Sequence, residues 1–304
     1  MNAAQSRKGL YFALLGAMLL SFDTLLLRSI DGESLQVAFW RGGLMFVAGA
    51  IGALVMRRRS GCIGIALGRI ELAIAACYGL SSVTFVLSAM TTSISNMLTI
   101  IATAPFWAAI GAGVFYRDWP PLRTWLACAG ALGGIIVVVW PTFSEQAHVG
   151  LGDGLALVTA LSMAGAFLLS RRSQANLALT PAWGGLLVAL TLAPFVPVFH
   201  FSSAHKLILM IGEGALLVPS ALGLIAAAAR YLPAPQVGLF LLLETTLGPF
   251  WIWAVLGETP TRYALVGGGI VVLALVAHSA VTLYAGRGAT QGVQPRPQRQ
   301  QADA

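Results

Sequence analysis

Pro105-Phe106-Trp107 and Pro249-Phe250-Trp251 are one tripeptide written twice, 144 positions apart in a chain of 304 residues. Each copy sits inside a long apolar stretch, after a short polar turn (91–95 and 231–236) and before a turn with an acid and a proline, Asp118 and Pro120 or Glu258 and Pro260. A glycine-rich apolar stretch then closes each half. The chain is 58% hydrophobic and 10% charged, where a soluble domain carries about 25% charged residues. No single core of this length hides so much apolar surface, so lipid must be the solvent for most of it.

A bilayer-crossing helix needs roughly 20 mainly apolar residues, and ten stretches qualify: 10–27, 35–55, 72–90, 96–115, 122–139, 152–170, 183–199, 214–229, 237–256 and 264–284. Asp153, Glu213 and Pro219 interrupt the sixth and eighth of these. The first span resembles a secretory leader in following Arg7 and Lys8, but its length, Asp23 and the lack of a small-residue cleavage site predict a retained helix. With both termini inside, the cytoplasmic segments hold Arg7, Lys8, Arg57, Arg58, Arg59, Arg69, Arg117, Arg123, Arg171, Arg172, Arg230, Arg287, Arg296 and Arg299, against Arg28, Lys206 and Arg262 outside. Fourteen to three is a strong inside bias, with Arg41 alone within a span.

The tripeptides fall on the fourth and ninth spans, so spans one to five overlay spans six to ten. Five is odd, and the halves therefore enter the membrane with opposite orientation. The expected fold is all-α integral membrane: ten transmembrane helices as two inverted five-helix repeats, N-in and C-in, with halves 1–146 and 147–286 and a disordered cytoplasmic tail 287–304. Inverted repeats build alternating access around a midplane site between the halves. A proline inside a span frees a backbone carbonyl, and such interruptions gather at cavities; Pro105 and Pro249 are the expected kinks or gates.

The five-plus-five layout resembles the drug/metabolite transporter superfamily, in its EamA-like branch. Trp40-Arg41-Gly42 early in the second span, the two mid-span prolines and Leu256-Gly257-Glu258-Thr259-Pro260 before the last helix carry that resemblance. It extends over roughly 9–284 and is closest in appearance to YddG-type amino-acid exporters. The first-half counterpart of the acidic turn is degenerate, Tyr116-Arg117-Asp118, and no glutamate directly precedes the second proline. The resemblance implies a secondary transporter of the inner membrane, multi-pass, exporting amino acids.

Ionisable groups inside a bilayer cost about 2.5–3.5 kcal/mol each on insertion scales and serve as functional hypotheses. Asp23 and Arg41 would lie about 6 and 9 Å below the outer interface at ~1.5 Å per residue. They are read as a structural ion pair stapling the first two spans, with an outer substrate or proton site as the other reading. Glu244 is deeper, about 10 Å from the inner face, beside Thr245 and Thr246. It either exchanges a proton during transport or is a permanently protonated hydrogen-bonding group.

A carrier of phosphorylated solutes should set Lys or Arg at the midplane, and Arg41, the one candidate, lies high. Aromatic and small polar residues are plentiful instead. Tyr78, Ser82, Asn96, Trp107, Ser162, Glu244 and Trp251 are the expected substrate-binding residues, a mostly apolar set suited to an amphipathic neutral or zwitterionic solute such as an amino acid. Trp40, Trp119, Trp140, Trp183 and Trp253 fall near span ends and belong to an interfacial belt. Small-residue runs 130–134 and 267–269 lack the strand a phosphate loop needs and read as helix-packing faces.

The expected partners are a small-molecule substrate and membrane lipid. Nucleic acid is disfavoured because the net charge of +7 is dispersed between spans. No metal or cofactor is expected, and no enzyme: the four histidines, 148, 200, 205 and 278, show no ligand spacing, the three cysteines lie far apart, and no nucleophile elbow is present. A channel would need a filter segment or charged ring that the sequence lacks. Reporter fusions after Arg59, Arg172 or Gly286 are expected to read cytoplasmic and those after Glu33 or Ala147 external; one fusion on the wrong side would break the ten-span count.

Overall fold

The structure, a computed structural model, describes residues 3–30, 33–60, 68–92, 94–143, 150–173, 175, 177–196, 203–257 and 262–291. Thirteen α-helices account for most of them, and no strand occurs among the described residues. In chain order these are α1 (Ala3–Leu20), α2 (Asp23–Ile30), α3 (Ser34–Ser60), α4 (Arg69–Thr91), α5 (Ile94–Ile101), α6 (Ala104–Tyr116) and α7 (Leu122–Phe143). The remainder are α8 (Leu151–Ser170), α9 (Thr180–Leu192), α10 (Ala204–Ile211), α11 (Val218–Ala228), α12 (Ala234–Leu256) and α13 (Arg262–Gln291), with a π-helical segment, Gly212–Leu217, between α10 and α11. Helix satisfies every backbone group within its own segment, which an apolar chain needs where no water does so.

Among the described residues eight helical stretches are long and apolar enough to cross a bilayer, and two more, Leu122–Val138 and Leu265–Val281, are apolar but shorter. Large apolar side chains such as Leu122, Val114, Phe115, Leu216 and Leu273 project outward and are exposed, as a multi-pass membrane protein requires. The centre, by contrast, is built from small residues: Ala13, Ala17, Ala108, Ala112, Ala164, Ala221 and Ala226 are all buried. Lipid offers no hydrophobic drive to bring helices together, so close backbone approach has to supply the contact.

Glycines mark where that approach is tightest. A Cβ on Gly42 of α3 would lie 2.7 Å from the Gly185 carbonyl of α9, and one on Gly49 would lie 2.2 Å from Ala182 Cβ. As the α3 number rises the α9 number falls, so the two helices run antiparallel. In the same way Gly130 faces Ala274, while Gly134 faces Gly267 and Val271, across α7 and α13.

Several expected boundaries shift. The first span is two helices, α1 and α2, parted at Ser21-Phe22, and the fourth is α5 and α6, parted at Ala102-Thr103 with Pro105 in the first turn of α6. Pro105 thus starts a helix, whereas α12 runs unbroken through Pro249. The eighth span begins ten residues earlier than the sequence suggested, at Ala204 rather than Gly214, which draws Glu213 into it. Helix α13 continues to Gln291, into the segment expected to be disordered; 258–261 and 292–304 lie outside the described residues, and with them Glu258, Thr259 and Pro260.

The degenerate turn has a structural counterpart. Helices α6 and α12 each end on a left-handed residue, Arg117 at φ 53° and Gly257 at φ 74°. Gly257 adopts this region without cost, while an arginine there is strained by roughly 1–2 kcal/mol.

The glycine contacts can be tested directly. A Cβ on Gly267 would lie 2.3 Å from the Gly134 carbonyl, whereas one on Gly133 would meet nothing within 4 Å. Gly267→Leu is expected to destabilise the detergent-solubilised protein by about 1–3 kcal/mol through overpacking. Gly133→Ala should leave the melting temperature unchanged or raise it. Equal melting curves for both variants would refute the close α7–α13 contact.

Candidate functional site

A cavity of about 120 Å³ opens between the two halves of the chain. Asp23, Arg41, Tyr78, Ser82, Ala102 and Pro105 reach it from the first half, and Thr159, Met163, Leu222, Gly238, Leu241 and Glu244 from the second. Both broken spans meet it: Leu20 and Asp23 flank the α1–α2 gap, and Ile101 and Ala104 flank the α5–α6 gap. Gly238 lets α12 lie against Pro105, since a Cβ there would be 3.1 Å from the proline ring.

Charge concentrates on one wall. Arg41 Nη2 donates to Asp23 Oδ2 at 2.7 Å, and Arg41 Nη1 lies 3.1 Å from Glu213 Oε1. Asp23 and Glu213 are buried. Glu213 reaches the guanidinium from the π-helical segment, whose extra residue per turn re-aims side chains and recurs at functional sites. The neighbouring Gly214 makes room: a Cβ on it would lie 3.3 Å from Arg41 Cα and 3.1 Å from Leu44 Cβ. In the sequence Glu213 reads as a span interruption rather than a site residue. The apolar run continuing back to Ala204 on its N-terminal side was the available signal.

Glu244, half-buried, also lines the cavity, within electrostatic reach of Asp23 and Arg41. The Tyr78 hydroxyl is buried in the wall and finds no hydrogen-bond partner among the described residues. Thr84 Oγ1 and Thr159 Oγ1 are 2.7 Å apart and tie α4 to α8 beside it. Ser162 is buried on α8 away from the lining. The side chains of Asn96 and Pro249 lie outside the described residues.

Trp107 and Trp251 are not among the lining residues; each instead braces a helix break. Trp107 Nε1 donates to Thr103 Oγ1 at 3.0 Å, and Thr103 donates to the Ile100 carbonyl at 2.6 Å. Trp251 Nε1 donates to Ser21 Oγ at 2.9 Å, and Ser21 donates to the Met18 carbonyl at 2.6 Å. Trp251 also stacks on Phe22 at 4.3 Å between centroids. The two indoles do the same work at the α5–α6 and α1–α2 gaps. They satisfy a hydroxyl that has left its helix, and thereby hold the gap that presents Asp23 or Pro105 to the cavity.

Beyond Tyr78, towards the start of α4, the halves close on one another. Tyr116 Oη donates to the Leu168 carbonyl at 2.8 Å, Arg172 lies 4.9 Å over the Tyr116 ring, Arg171 pairs with Asp118 at 3.1 Å, and Ser173 donates to Glu71. At the other end of α4, Thr92 donates to Asp153 at 2.6 Å and Ser88 to the Gly152 carbonyl at 2.8 Å.

The Arg41 cluster has a measurable signature. Arg41→Met would leave two carboxylates facing each other without a cation, and is expected to cost about 3–5 kcal/mol. Asp23→Asn and Glu213→Gln should each cost less, because one carboxylate stays on the guanidinium. Double-mutant cycles of Arg41 with either acid, read from thermal unfolding, should give couplings of about 0.5–3 kcal/mol. Additive effects in both cycles would exclude a shared guanidinium.

Compared with known proteins, the sequence matches no family model and no curated protein. Solved structures do share the fold; one of them, a crystal structure of a protein, matches with a TM-score of 0.75 at 13% sequence identity, over 95% of this chain and 99% of its own.

Proposed function

We propose that this chain is a secondary transporter that carries a small amphipathic metabolite across the inner membrane by alternating access, as a ten-span, inverted-repeat protein of the EamA-like drug/metabolite transporter branch. The observation that carries this reading is the cavity itself. It lies between the halves, takes walls from both, and meets helix gaps and buried charge, the features by which such carriers build a midplane site.

The packing supports the inverted repeat. With α3, α6 and α7 as the second, fourth and fifth spans, their counterparts five places on are α9, α12 and α13, and each counterpart pair is in contact. The α3–α9 and α7–α13 pairs run antiparallel through their glycines. Contacts between different pairs also come in twos: α4 with α8 is matched by α11 with α1, and α6 with α8 by α12 with α1. Both relations follow from a two-fold axis in the membrane plane. Arg117 and Gly257 ending equivalent helices fit the same symmetry.

The cavity volume, about 120 Å³, is below the roughly 300–1,000 Å³ of sites for drug-sized ligands. A small metabolite fits it better than a bulky drug, and amino acids are the first class to test. Glu244, opening to the cavity, is the candidate proton-exchanging group. Counterflow of labelled amino acids and related small solutes in proteoliposomes is expected to show saturable exchange, and absence of exchange for every solute would defeat the carrier reading. In the same vesicles an imposed pH gradient should drive net flux, and Glu244→Gln should abolish that response; a variant that still responds fully would make Glu244 a structural hydrogen-bonding group.

A further inference from the structure

Among the described residues two carboxyl groups and a single guanidinium make up the charged part of the cavity wall, and a third carboxyl group stands behind the guanidinium. Asp23, Arg41 and Glu244 line it, and Glu213 joins through Arg41. With every group ionised, three negative charges face one positive charge inside a low-dielectric bundle. An excess of that kind is relieved by protonation of a carboxylate or by a compensating cation.

The hydrogen-bonding inventory says where such a cation would go. Arg41 is already engaged by two carboxylates, one on each terminal nitrogen. N–H donors remain on it, but its single charge is already outnumbered by those two acids, so a ligand carboxylate brought there would be a third anion on one guanidinium. The groups left open all offer acceptor oxygens. Asp23 Oδ1 is buried and has no hydrogen-bond partner among the described residues, and the Tyr78 hydroxyl is in the same condition. Glu244 makes no hydrogen bond or ion pair among the described residues and is half-buried at the cavity surface. The rest of the wall is mostly apolar, with Leu20, Phe85, Met163 and Leu241, and also carries Ser82 and Thr159.

We infer that the cavity binds the protonated amine of a small monocationic amphiphile, its ammonium received by Glu244, Asp23 Oδ1 and the Tyr78 hydroxyl and its apolar body by the surrounding leucine, methionine and phenylalanine side chains. This rests on the carrier reading and narrows its substrate. A primary ammonium has three N–H donors and no acceptor, which matches the open groups, and it offsets one of the excess charges. An amino-acid zwitterion brings a carboxylate as well, for which no uncommitted cation stands in the wall. The preferred solute is therefore an amine rather than the amino acid with the same side chain.

Three probes with one hydrocarbon body separate the possibilities: isoamylamine as cation, leucine as zwitterion and 4-methylpentanoate as anion. Isothermal titration calorimetry on the purified full chain in detergent is expected to give isoamylamine an affinity at least about tenfold above leucine, the scale of one charge-assisted hydrogen-bonded contact, and no heat with 4-methylpentanoate. Glu244→Gln should weaken isoamylamine by about tenfold or more, and Glu244→Asp, which keeps the charge, should recover most of that loss. Melting curves of both variants separate a lost ligand contact from a lost fold. Leucine binding as tightly as isoamylamine, no isoamylamine binding, or Glu244→Gln leaving its affinity intact in a folded protein would each overturn the inference. Counterflow keeps the two readings distinguishable. Leucine exchange without isoamylamine binding removes the amine preference and leaves the carrier standing. Isoamylamine binding without exchange of any solute keeps the site and removes the carrier.

Discussion

A guanidinium has no place in the interior of an apolar bundle unless carboxylates come to meet it, and here two do, one at each terminal nitrogen of Arg41. Meeting that demand shapes the backbone around it. Asp23 is presented by a gap between α1 and α2, and Glu213 by a π-helical turn between α10 and α11. Neither device suits a helix that only has to cross lipid, because each gives up regular backbone hydrogen bonding in a solvent that offers none in return. The departures from ideal helix are thus concentrated where charge has to be neutralised, and the cavity lies among them.

The gaps need support of their own. Ser21 and Thr103 each carry a hydroxyl at a break, each donates back to a carbonyl of the turn it has left, and each accepts from a tryptophan. The acceptor side of the hydroxyl and the indole N–H are both costly to bury alone, so pairing them fixes each break at one residue. Elsewhere the bundle relies on small side chains. Where α3 meets α9 and α7 meets α13, glycine carbonyls approach the opposite backbone closely enough that a methyl group would collide.

Much of the helical layout was legible in the sequence, because hydropathy over twenty residues reports burial in lipid directly. Each of the ten apolar stretches overlaps helix, and eight of the helical stretches are long and apolar enough to cross a bilayer. The broken helices were not legible: Ser21 and Thr103 are ordinary residues within apolar runs, and the tryptophan that braces the break is 230 positions away for Ser21 and, for Thr103, four residues on within the next apolar helix. The matched Pro-Phe-Trp copies did signal a structural role. Their location alone could not tell a side chain lining a cavity from one bracing its wall. Glu213 was passed over because an acid in an apolar run reads as a boundary unless its cation is known, and Arg41 lies far off in sequence on α3. Tyr78, Ser82 and Glu244 do stand in the cavity wall, as polar residues within apolar helices tend to.

The contacts at the Tyr116 end differ in kind from the Arg41 cluster. The Arg171 and Asp118 side chains there are 32% and 59% exposed, so water and salt screen them, and a pair of this sort is worth about 0–1 kcal/mol. Releasing it returns two charges to solvent, whereas releasing Arg41 from its acids would abandon them in the interior. The molecule is therefore riveted at one level and merely buttoned at another, and raising the ionic strength from about 0.01 M to 1 M, which shortens the screening length from about 30 Å to 3 Å, loosens the buttons and leaves the rivet untouched.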